Sequence, residues 1–367
     1  MPEKLKDLFF TTSFVNELGH AIQQVYPDFD NEKLNSLVFH ETFEAKELKE
    51  QMRHITHCLY ETLPKDYPQA LAILTEVAPS FPSFDGMVFS DYVGCYGLDD
   101  WELSLPALAL LTKSISAEYA IRPFLAQDPQ RAMEYVNAWA EDENEHVRRL
   151  ASEGCRPRLP WGMALPAFKK DPSPILPILE KLKNDESEPV TKSVANNLND
   201  ISKDHPELVL DICERWHGQT KNTDWIVKHA CRGLLKAGNK RALALFSFAD
   251  PRHLGVEGLT LDKETLFIGE ELRFTFQLTV DTDQACKARL EFAVHYVKPS
   301  GRSSRKVFQI REASFDPGRH LISKKRSFAD QSTRKHYSGE HQISIIVNGL
   351  EMAKASFELK ENASDQG

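Results

Sequence analysis

The chain has 367 residues, 41% of them hydrophobic and 27% charged, a balance that belongs to globular proteins and excludes a disordered one. Its length sets an expectation of two or three domains, and no apolar run approaches the roughly 18 residues that cross a bilayer. Six cysteines with no CxxC pair among them exclude a zinc knuckle or a disulfide framework and point to a reducing cytoplasm. The opening Met1-Pro-Glu-Lys-Leu-Lys-Asp-Leu-Phe-Phe10 lacks the apolar core of a standard secretory signal.

A net charge of -9, from 45 basic and 54 acidic residues, is unfavourable for a nucleic-acid binder as a whole. The distribution is uneven, however. Between Lys287 and Lys335 stand 13 basic and 4 acidic residues. A basic block inside an acidic chain is an electrostatic footprint that a global charge hides.

Up to about residue 252, apolar residues recur at helical spacing, broken at Leu63-Pro64, Asp128-Pro129, Asp171-Pro172 and His205-Pro206. His54 and His57 have the spacing of a metal pair, but no carboxylate network accompanies them, so the reading is a partly buried helix face without metal. Asp99-Asp-Trp101 reads as a helix start, with Asp99 as the cap. No glycine-rich phosphate loop, nucleophile elbow or HExxH is present, and no cofactor is expected.

Three units then overlay, beginning at Pro129, Pro172 and Pro206. Ten residues on come Trp139, Leu182 and Trp216, and the second helices align from Val147, Val190 and Ile226. Helix pairs at such periods predict a HEAT-like α-solenoid, with both tryptophans as core pillars. With Val147 facing the core, Arg148, Arg149, Ser152, Glu153 and Arg156 fall on the opposite side at 100° per residue. The exposed column Arg149, Lys192, Lys228 is basic in every unit, and the column four residues on is Glu153, Asn196, Arg232. Such a stripe suits a phosphate backbone, although a solvated helix face carries the same residue types.

The densest segment is Arg148-Arg-Leu-Ala-Ser-Glu-Gly-Cys-Arg-Pro-Arg-Leu-Pro-Trp161. Glu153 lies four residues after Arg149 and three before Arg156, and a carboxylate among guanidinium groups keeps its charge. Gly154 allows the helix to end. The prolines that follow predict an extended, stiff presentation of Trp161. A salt-bridged surface helix with a proline-stiffened linker would look the same.

Past residue 252 the pattern alternates with period two: Leu272-Arg-Phe-Thr-Phe-Gln-Leu278, Ala288-Arg-Leu-Glu-Phe-Ala-Val294, Gln342-Ile-Ser-Ile-Ile-Val347. Asn348-Gly349 predicts a two-residue hairpin turn. Six or seven such strands suggest an immunoglobulin-like β-sandwich. The expected organisation is multidomain α and β: a HEAT-like α-solenoid over residues 1–252, the sandwich over 253–361 and a disordered tail over 362–367.

The run from Pro2 to Phe9, Ala45-Lys-Glu-Leu-Lys49 with Arg53-His-Ile55, and above all the stretch from Arg148 to Trp161, resemble the AlkC branch of the alkylbase DNA glycosylases. The resemblance covers the helical part, and the sandwich is similar to the immunoglobulin-like extension of some members. It implies a monofunctional DNA glycosylase that hydrolyses the N-glycosidic bond of cationic alkylated bases, chiefly 3-methyladenine and 3-methylcytosine, in duplex DNA without flipping the base. A base already positively charged leaves without general-acid help. The remaining barrier is positive charge on deoxyribose, which carboxylates stabilise.

By the matching motif, the resemblance places Glu153 as the carboxylate and Trp161 as an aromatic wall. It places a second carboxylate at Glu118, in Ser116-Ala-Glu-Tyr-Ala-Ile-Arg-Pro-Phe124, on the helix preceding Glu153. Arg149, Arg156 and Lys192 would hold phosphates, with Arg148, Lys228 and Arg232 further off. In the sandwich, Lys298, Arg302, Arg305 and Lys306 line one loop, and Lys324-Lys-Arg326 and Arg334-Lys335 add charge. At least one of these loops is expected to clamp duplex backbone. A monomer at the nucleoid in the cytoplasm follows, with double-stranded DNA as partner and no membrane. A non-catalytic binder of bent or branched DNA is the competing expectation, since a HEAT-like surface can grip DNA without chemistry.

Overall fold

The computed structural model describes residues 8–330 and 335–361. The expected tail over 362–367, residues 2–7 of the amino-terminal run and Arg334 lie outside the described residues. The chain forms two compact units, Met1–Ala230 and Cys231–Gly367.

The first unit holds fourteen helices among its described residues: α1 (Thr12–Val25), α2 (Asn31–Val38), α3 (Leu48–Thr62), α4 (Tyr67–Val77), α5 (Met87–Tyr96), α6 (Trp101–Leu111), α7 (Ile121–Gln127), α8 (Pro129–Trp139), α9 (Glu145–Gly154), α10 (Pro166–Lys170), α11 (Leu176–Leu182), α12 (Glu188–Ile201), α13 (Pro206–Trp216) and α14 (Lys221–Ala230). The breakers do what their chemistry requires. Asp30, Asp66, Asp100, Asp128 and Asn144 each accept a backbone N–H from the first turn of the helix they precede. Pro129 and Pro206 take the first helical position, where a missing N–H costs nothing. At α6 the cap is Asp100, whose Oδ1 accepts from Leu103 N at 3.2 Å. Asp99 was expected there; it stands one residue too early to reach that amide.

The three repeat units are the pairs α8–α9, α11–α12 and α13–α14. Pro172 is the odd one, lying in the turn ahead of α11. Trp139 and Trp216 are buried as core pillars, and the Trp216 indole N–H also reaches Glu180 at 2.9 Å. Gly154, the last residue of α9, serves packing instead of a left-handed turn: a Cβ there would stand 2.6 Å from the Ile121 side chain on α7.

The second unit opens with two short helices, α15 (Arg232–Lys236) and α16 (Lys240–Leu245), before eight strands: β1 (Leu254–Leu261), β2 (Thr265–Phe267), β3 (Glu271–Val280), β4 (Cys286–Val297), β5 (Ser303–Phe315), β6 (Gly318–Ser327), β7 (Gly339–Val347) and β8 (Leu350–Lys360). They make a three-stranded sheet, β1-β3-β6, and a five-stranded sheet, β2-β8-β7-β4-β5. The alternating residues read from the sequence meet between them, with Phe274, Phe276, Leu290, Phe292, Ile343 and Ile345 all buried in one cluster. This is an immunoglobulin-like domain behind a helical region, as the patterning predicts.

Asn348 (φ 45) and Gly349 (φ 78) join β7 to β8 in the left-handed conformation the hairpin needs. Asn348 also accepts from Arg289 N and donates to the Ala249 carbonyl, both at 2.7 Å. The Lys287 ammonium donates to the Phe246 carbonyl at 3.1 Å. Residues just after α16 are therefore tied to the sheet, which is why α15 and α16 belong with the strands and not with the repeats.

Candidate active site

Helix α9 is the centre of the site, and its packing decides what each side chain can do. Viewed alone, its wheel puts Ser152, Glu153 and Arg156 on the outside. All three are buried, because α12 of the next repeat covers that face. Ser193 on α12 donates to Glu153 Oε2 at 2.5 Å and lies 3.0 Å from Ser152 Oγ, while Asn197 donates to the Ser152 carbonyl at 2.8 Å.

Glu153 keeps 7% of its surface, at the floor of an open cleft of about 430 Å³ lined by Arg149, Glu153, Glu188, Lys192, Ser193 and Asn196. Its other oxygen accepts from Arg156 Nη1 at 2.6 Å. Arg156 continues to Asp200 at the end of α12, with Nε and Nη2 each 2.8 Å from Oδ2. Burial disfavours the charge on Arg156, but Glu153 and Asp200 outweigh it, so its pKa is raised. Arg156 was expected to hold a phosphate; it is instead the buried cation that fixes two carboxylates.

Glu118 is linked to the cleft through Arg149. It was expected on a helix but occupies the turn before α7, since Ser116, Glu118 and Arg149 close a local network there. Glu118 Oε2 accepts from Ser116 Oγ at 2.7 Å and from Arg149 Nη2 at 2.9 Å, and Arg149 Nη1 lies 3.1 Å from Ser116 Oγ. Arg149 thus touches Glu118 and lines the cleft above Glu153. Between the two carboxylates in electrostatic reach is Tyr119, whose phenol is pushed up to about 12 by burial and then by Glu118 and Glu153.

Trp161 does not sit on an extended segment. Gly162 N bonds the Leu159 carbonyl at 3.1 Å and Leu165 N bonds the Pro157 carbonyl at 3.2 Å, so the prolines serve a folded loop. At its tip Trp161 has φ 62 and a 58% exposed side chain. Arg122 on α7 holds that loop from beneath, donating to the carbonyls of Gly154 (2.8 Å), Arg156 (2.9 Å) and Met163. Burial lowers the Arg122 pKa to about 10, which leaves the guanidinium charged at neutral pH.

The other expected cations divide into two groups. Lys192 is exposed at the cleft, and Lys228 lies half-buried on α14. Arg148 is committed elsewhere: it forks Asp185 at 2.6 and 3.0 Å and donates to the Asp142 and Glu143 carbonyls, a tie between successive repeats that leaves no fork for phosphate. Arg232 is not on the helix of Lys228, because α14 ends at Ala230 and Arg232 opens α15. In the second unit, Lys298, Arg302, Arg305 and Lys306 are all exposed on the β4–β5 hairpin and the start of β5. His54 and His57 go to different partners. His54 Nε2 donates to the Leu37 carbonyl at 3.0 Å, and His57 Nδ1 pairs with the Tyr96 hydroxyl at 2.6 Å.

Sequence reasoning missed Arg122, Ser193, Asp200 and Lys49. Arg122 carried a signal: a cation embedded in Ala120-Ile-Arg-Pro-Phe-Leu125, with apolar residues on both sides. Asp200 stands 47 residues from Glu153, and no local spacing connects them.

A helical-repeat unit, with buried carboxylates at a cleft that carries two cations and two acids, is followed by an immunoglobulin-like domain, and comparison with known proteins places this combination in a class of DNA repair enzyme. The family model for the DNA alkylation repair enzyme matches residues 113–234, and that for the YhaZ C-terminal Ig-like domain matches residues 255–361. The uncharacterized protein YhaZ of Bacillus subtilis (strain 168) is 47% identical over 346 residues, covering 94% of this chain and 96% of YhaZ. The Pseudomonas fluorescens alkylpurine DNA glycosylase AlkC, solved bound to DNA containing an abasic site analog, superposes with a TM-score of 0.91 at 38% identity over 98% of this chain and 100% of its own. The chain belongs to the AlkC family of DNA alkylation repair enzymes. Among its described residues no helix is long and apolar enough to cross a membrane.

Proposed function

We propose that this chain is a monofunctional DNA glycosylase that hydrolyses the N-glycosidic bond of cationic alkylated bases, 3-methyladenine and 3-methylcytosine, in duplex DNA without extruding the base. The observation that carries the reading is Glu153: a carboxylate locked by Arg156 and Ser193, facing a cleft edged with Arg149 and Lys192. A carboxylate is buried at this expense only where its charge is used or fully paired. Glu153 accepts on both oxygens, from Arg156 and Ser193, and still keeps 7% of its surface at the cleft, where its charge can act on a bound sugar.

The chemistry follows from charge. The base departs with the electron pair of the C1′–N bond, which neutralises its own positive charge. Positive charge develops on the sugar as the bond stretches. Glu153, already oriented, stabilises that oxocarbenium without reorganising, and with Glu118 it orients the water whose oxygen bonds to C1′. The proton lost by that water passes to a carboxylate and on to solvent. Trp161 offers an indole face to the cationic centre, a contribution of about 0.5–2 kcal/mol. Arg149 and Lys192 hold phosphates beside the lesion, Lys228 extends the track, and the β4–β5 hairpin adds a grip without base specificity. The protein acts as a monomer on chromosomal DNA in the cytoplasm.

The test is release of methylated base from alkylated duplex DNA by the purified protein, followed by chromatography. Release of 3-methyladenine and 3-methylcytosine, leaving abasic sites with intact strands, supports the reading. Tight DNA binding with no release overturns it.

A further inference from the structure

A tryptophan with φ 62 is uncommon. The left-handed region crowds a Cβ against the following carbonyl, and the conformation persists only where its surroundings dictate it. Two cations do so here. Arg122 pins the carbonyls of Gly154, Arg156 and Met163, which flank the loop tip. The tip itself is held by a residue 112 positions away: Lys49 on α3 donates from Nζ to the Trp161 carbonyl at 2.5 Å. The same ammonium lies 4.6 Å from the centre of the Tyr119 ring, next in sequence to Glu118. One cation therefore touches the aromatic loop and the turn that carries a site carboxylate.

The alternative role for Lys49 is plain electrostatics. It also lines a cleft of about 360 Å³ with Lys46, Glu50, Arg53, His54 and His57, a surface with positive character. Two facts favour a fixed role over a phosphate ligand. The ammonium is already bonded to a carbonyl and stacked on a ring, and neighbouring Arg53 is forked by the buried Asp91 at 2.8 Å on both oxygens.

We propose that Lys49 is a positioning residue: its bond to the Trp161 carbonyl fixes the strained loop tip and so aims the exposed indole. The role of that indole in base release rests on the function proposed above, whereas the coupling of Lys49 to Trp161 does not.

The experiment uses the full-length chain labelled with 5-fluorotryptophan. Its five tryptophans give five fluorine resonances, and Trp161→Phe identifies one of them. In Lys49→Met that resonance is expected to move or broaden while the other four stay. If it stays as well, the proposal is overturned. In base release, Lys49→Met is expected to lower kcat roughly 10- to 100-fold, the range for a misplaced group, with unchanged affinity for undamaged duplex. Added to Trp161→Ala, it is expected to lower kcat no further, and Lys49→Arg is expected to restore most of it. Multiplicative losses, or weaker DNA binding with a shallower salt dependence, would show a phosphate ligand instead. Should Lys49→Met fold poorly, Lys49→Gln serves for both readouts. Should the wild type release no base, the catalytic reading falls and the fluorine spectrum still decides for or against Lys49.

Discussion

The Ser193 hydroxyl donates to Glu153 Oε2 across 2.5 Å, joining the second helices of two successive repeats at a buried carboxylate of the cleft. With Arg156 on the opposite oxygen, the carboxyl group has a single orientation. Glu153→Gln preserves that shape: the amide oxygen still accepts from Arg156, and the amide NH2 can donate to Ser193, which donates on to Ser152. Only the charge is lost. Base release is expected to fall by a factor on the order of 100 to 1,000, as when one preorganised electrostatic group is removed, with duplex affinity near that of the wild type. Comparing single-turnover release with binding to undamaged DNA checks this. Wild-type excision by the variant would remove Glu153 from the mechanism.

Ser193→Ala separates orientation from charge. It frees one carboxylate oxygen and leaves Ser152 without its partner, at a cost of about 1–3 kcal/mol in stability. Single-turnover release should fall far less than in Glu153→Gln, and the loss should show in kcat with little change in KM. An effect as large as that of Glu153→Gln would mean that the serine itself takes part in the chemistry.

Arg156 balances two buried carboxylates at once, and Asp200 is also paired with Lys203 at 3.0 Å. Arg156→Met removes the common partner and strands Glu153. Breaking a buried pair in this way costs about 3–5 kcal/mol. The variant should unfold at markedly lower denaturant, with the slope of the transition unchanged. A Lys192→Met control, at an exposed position on the same cleft, should shift it hardly at all.

The repeats were legible because their signal is local. A proline or capping residue, a tryptophan or leucine ten positions on and an apolar second helix are each set by one helix and its core face. The burial of Ser152, Glu153 and Arg156 was not legible, because it depends on which helix of the next repeat lands on α9. A wheel drawn for one helix contains no neighbour. The same limit applies to Asp200 and Lys49, which reach the site across 47 and 112 residues. The Glu118 turn and the Asp100 cap differ by a few positions from expectation, the scale on which helix ends shift. In the sheets, β3 alternates cleanly about Phe274, whereas β4 around Phe292 is buried on both faces and β7 runs through a register shift at Ile345 and Ile346. The three-residue β2 could show none, and β5 crosses a register shift opposite Leu290 and Glu291 that blurs its period.

The second unit contains a built-in acid sensitivity at His341. Its ring packs among Tyr296, Phe328 and Phe357. Nδ1 donates to the Gly339 carbonyl at 3.0 Å, and Nε2 accepts from Val297 N at 3.3 Å. A second proton would have to go to Nε2, breaking that bond and burying a charge. Burial first, and the nearby His336 with it, accordingly lower the His341 pKa below its ordinary value near 6.5. The sign is then fixed: as pH falls through 6.5 the unfolded chain takes up a proton that the folded chain refuses, so stability drops. His341→Gln keeps an acceptor for Val297 and does not titrate. Between pH 7.5 and 5.5 the variant should lose less of its melting temperature than the wild type, and equal losses would assign the acid sensitivity to other groups.

The β4–β5 hairpin supplies the last prediction. Lys298 N bonds the Arg302 carbonyl at 2.9 Å, and Gly301 at φ 71 turns the chain between them. This holds four exposed cations on a short, closed loop and the strand that leaves it. Arg305 lies 3.7 Å from Glu351, a loose ion pair at the surface, and Lys306 stands 5.7 Å from the Phe308 ring centre. Solvated pairs of this kind contribute little to folding, so replacing Lys298, Arg302, Arg305 and Lys306 together by glutamine should leave the melting temperature nearly unchanged. On DNA the outcome differs. Each phosphate contact contributes about 0.9 to the slope of log affinity against log salt. If the hairpin grips the backbone, the slope should fall by between one and four such steps, with equal losses for alkylated and undamaged duplex. A slope that does not change would place this hairpin away from the phosphates and leave the cleft cations Arg149 and Lys192 to hold the duplex without it.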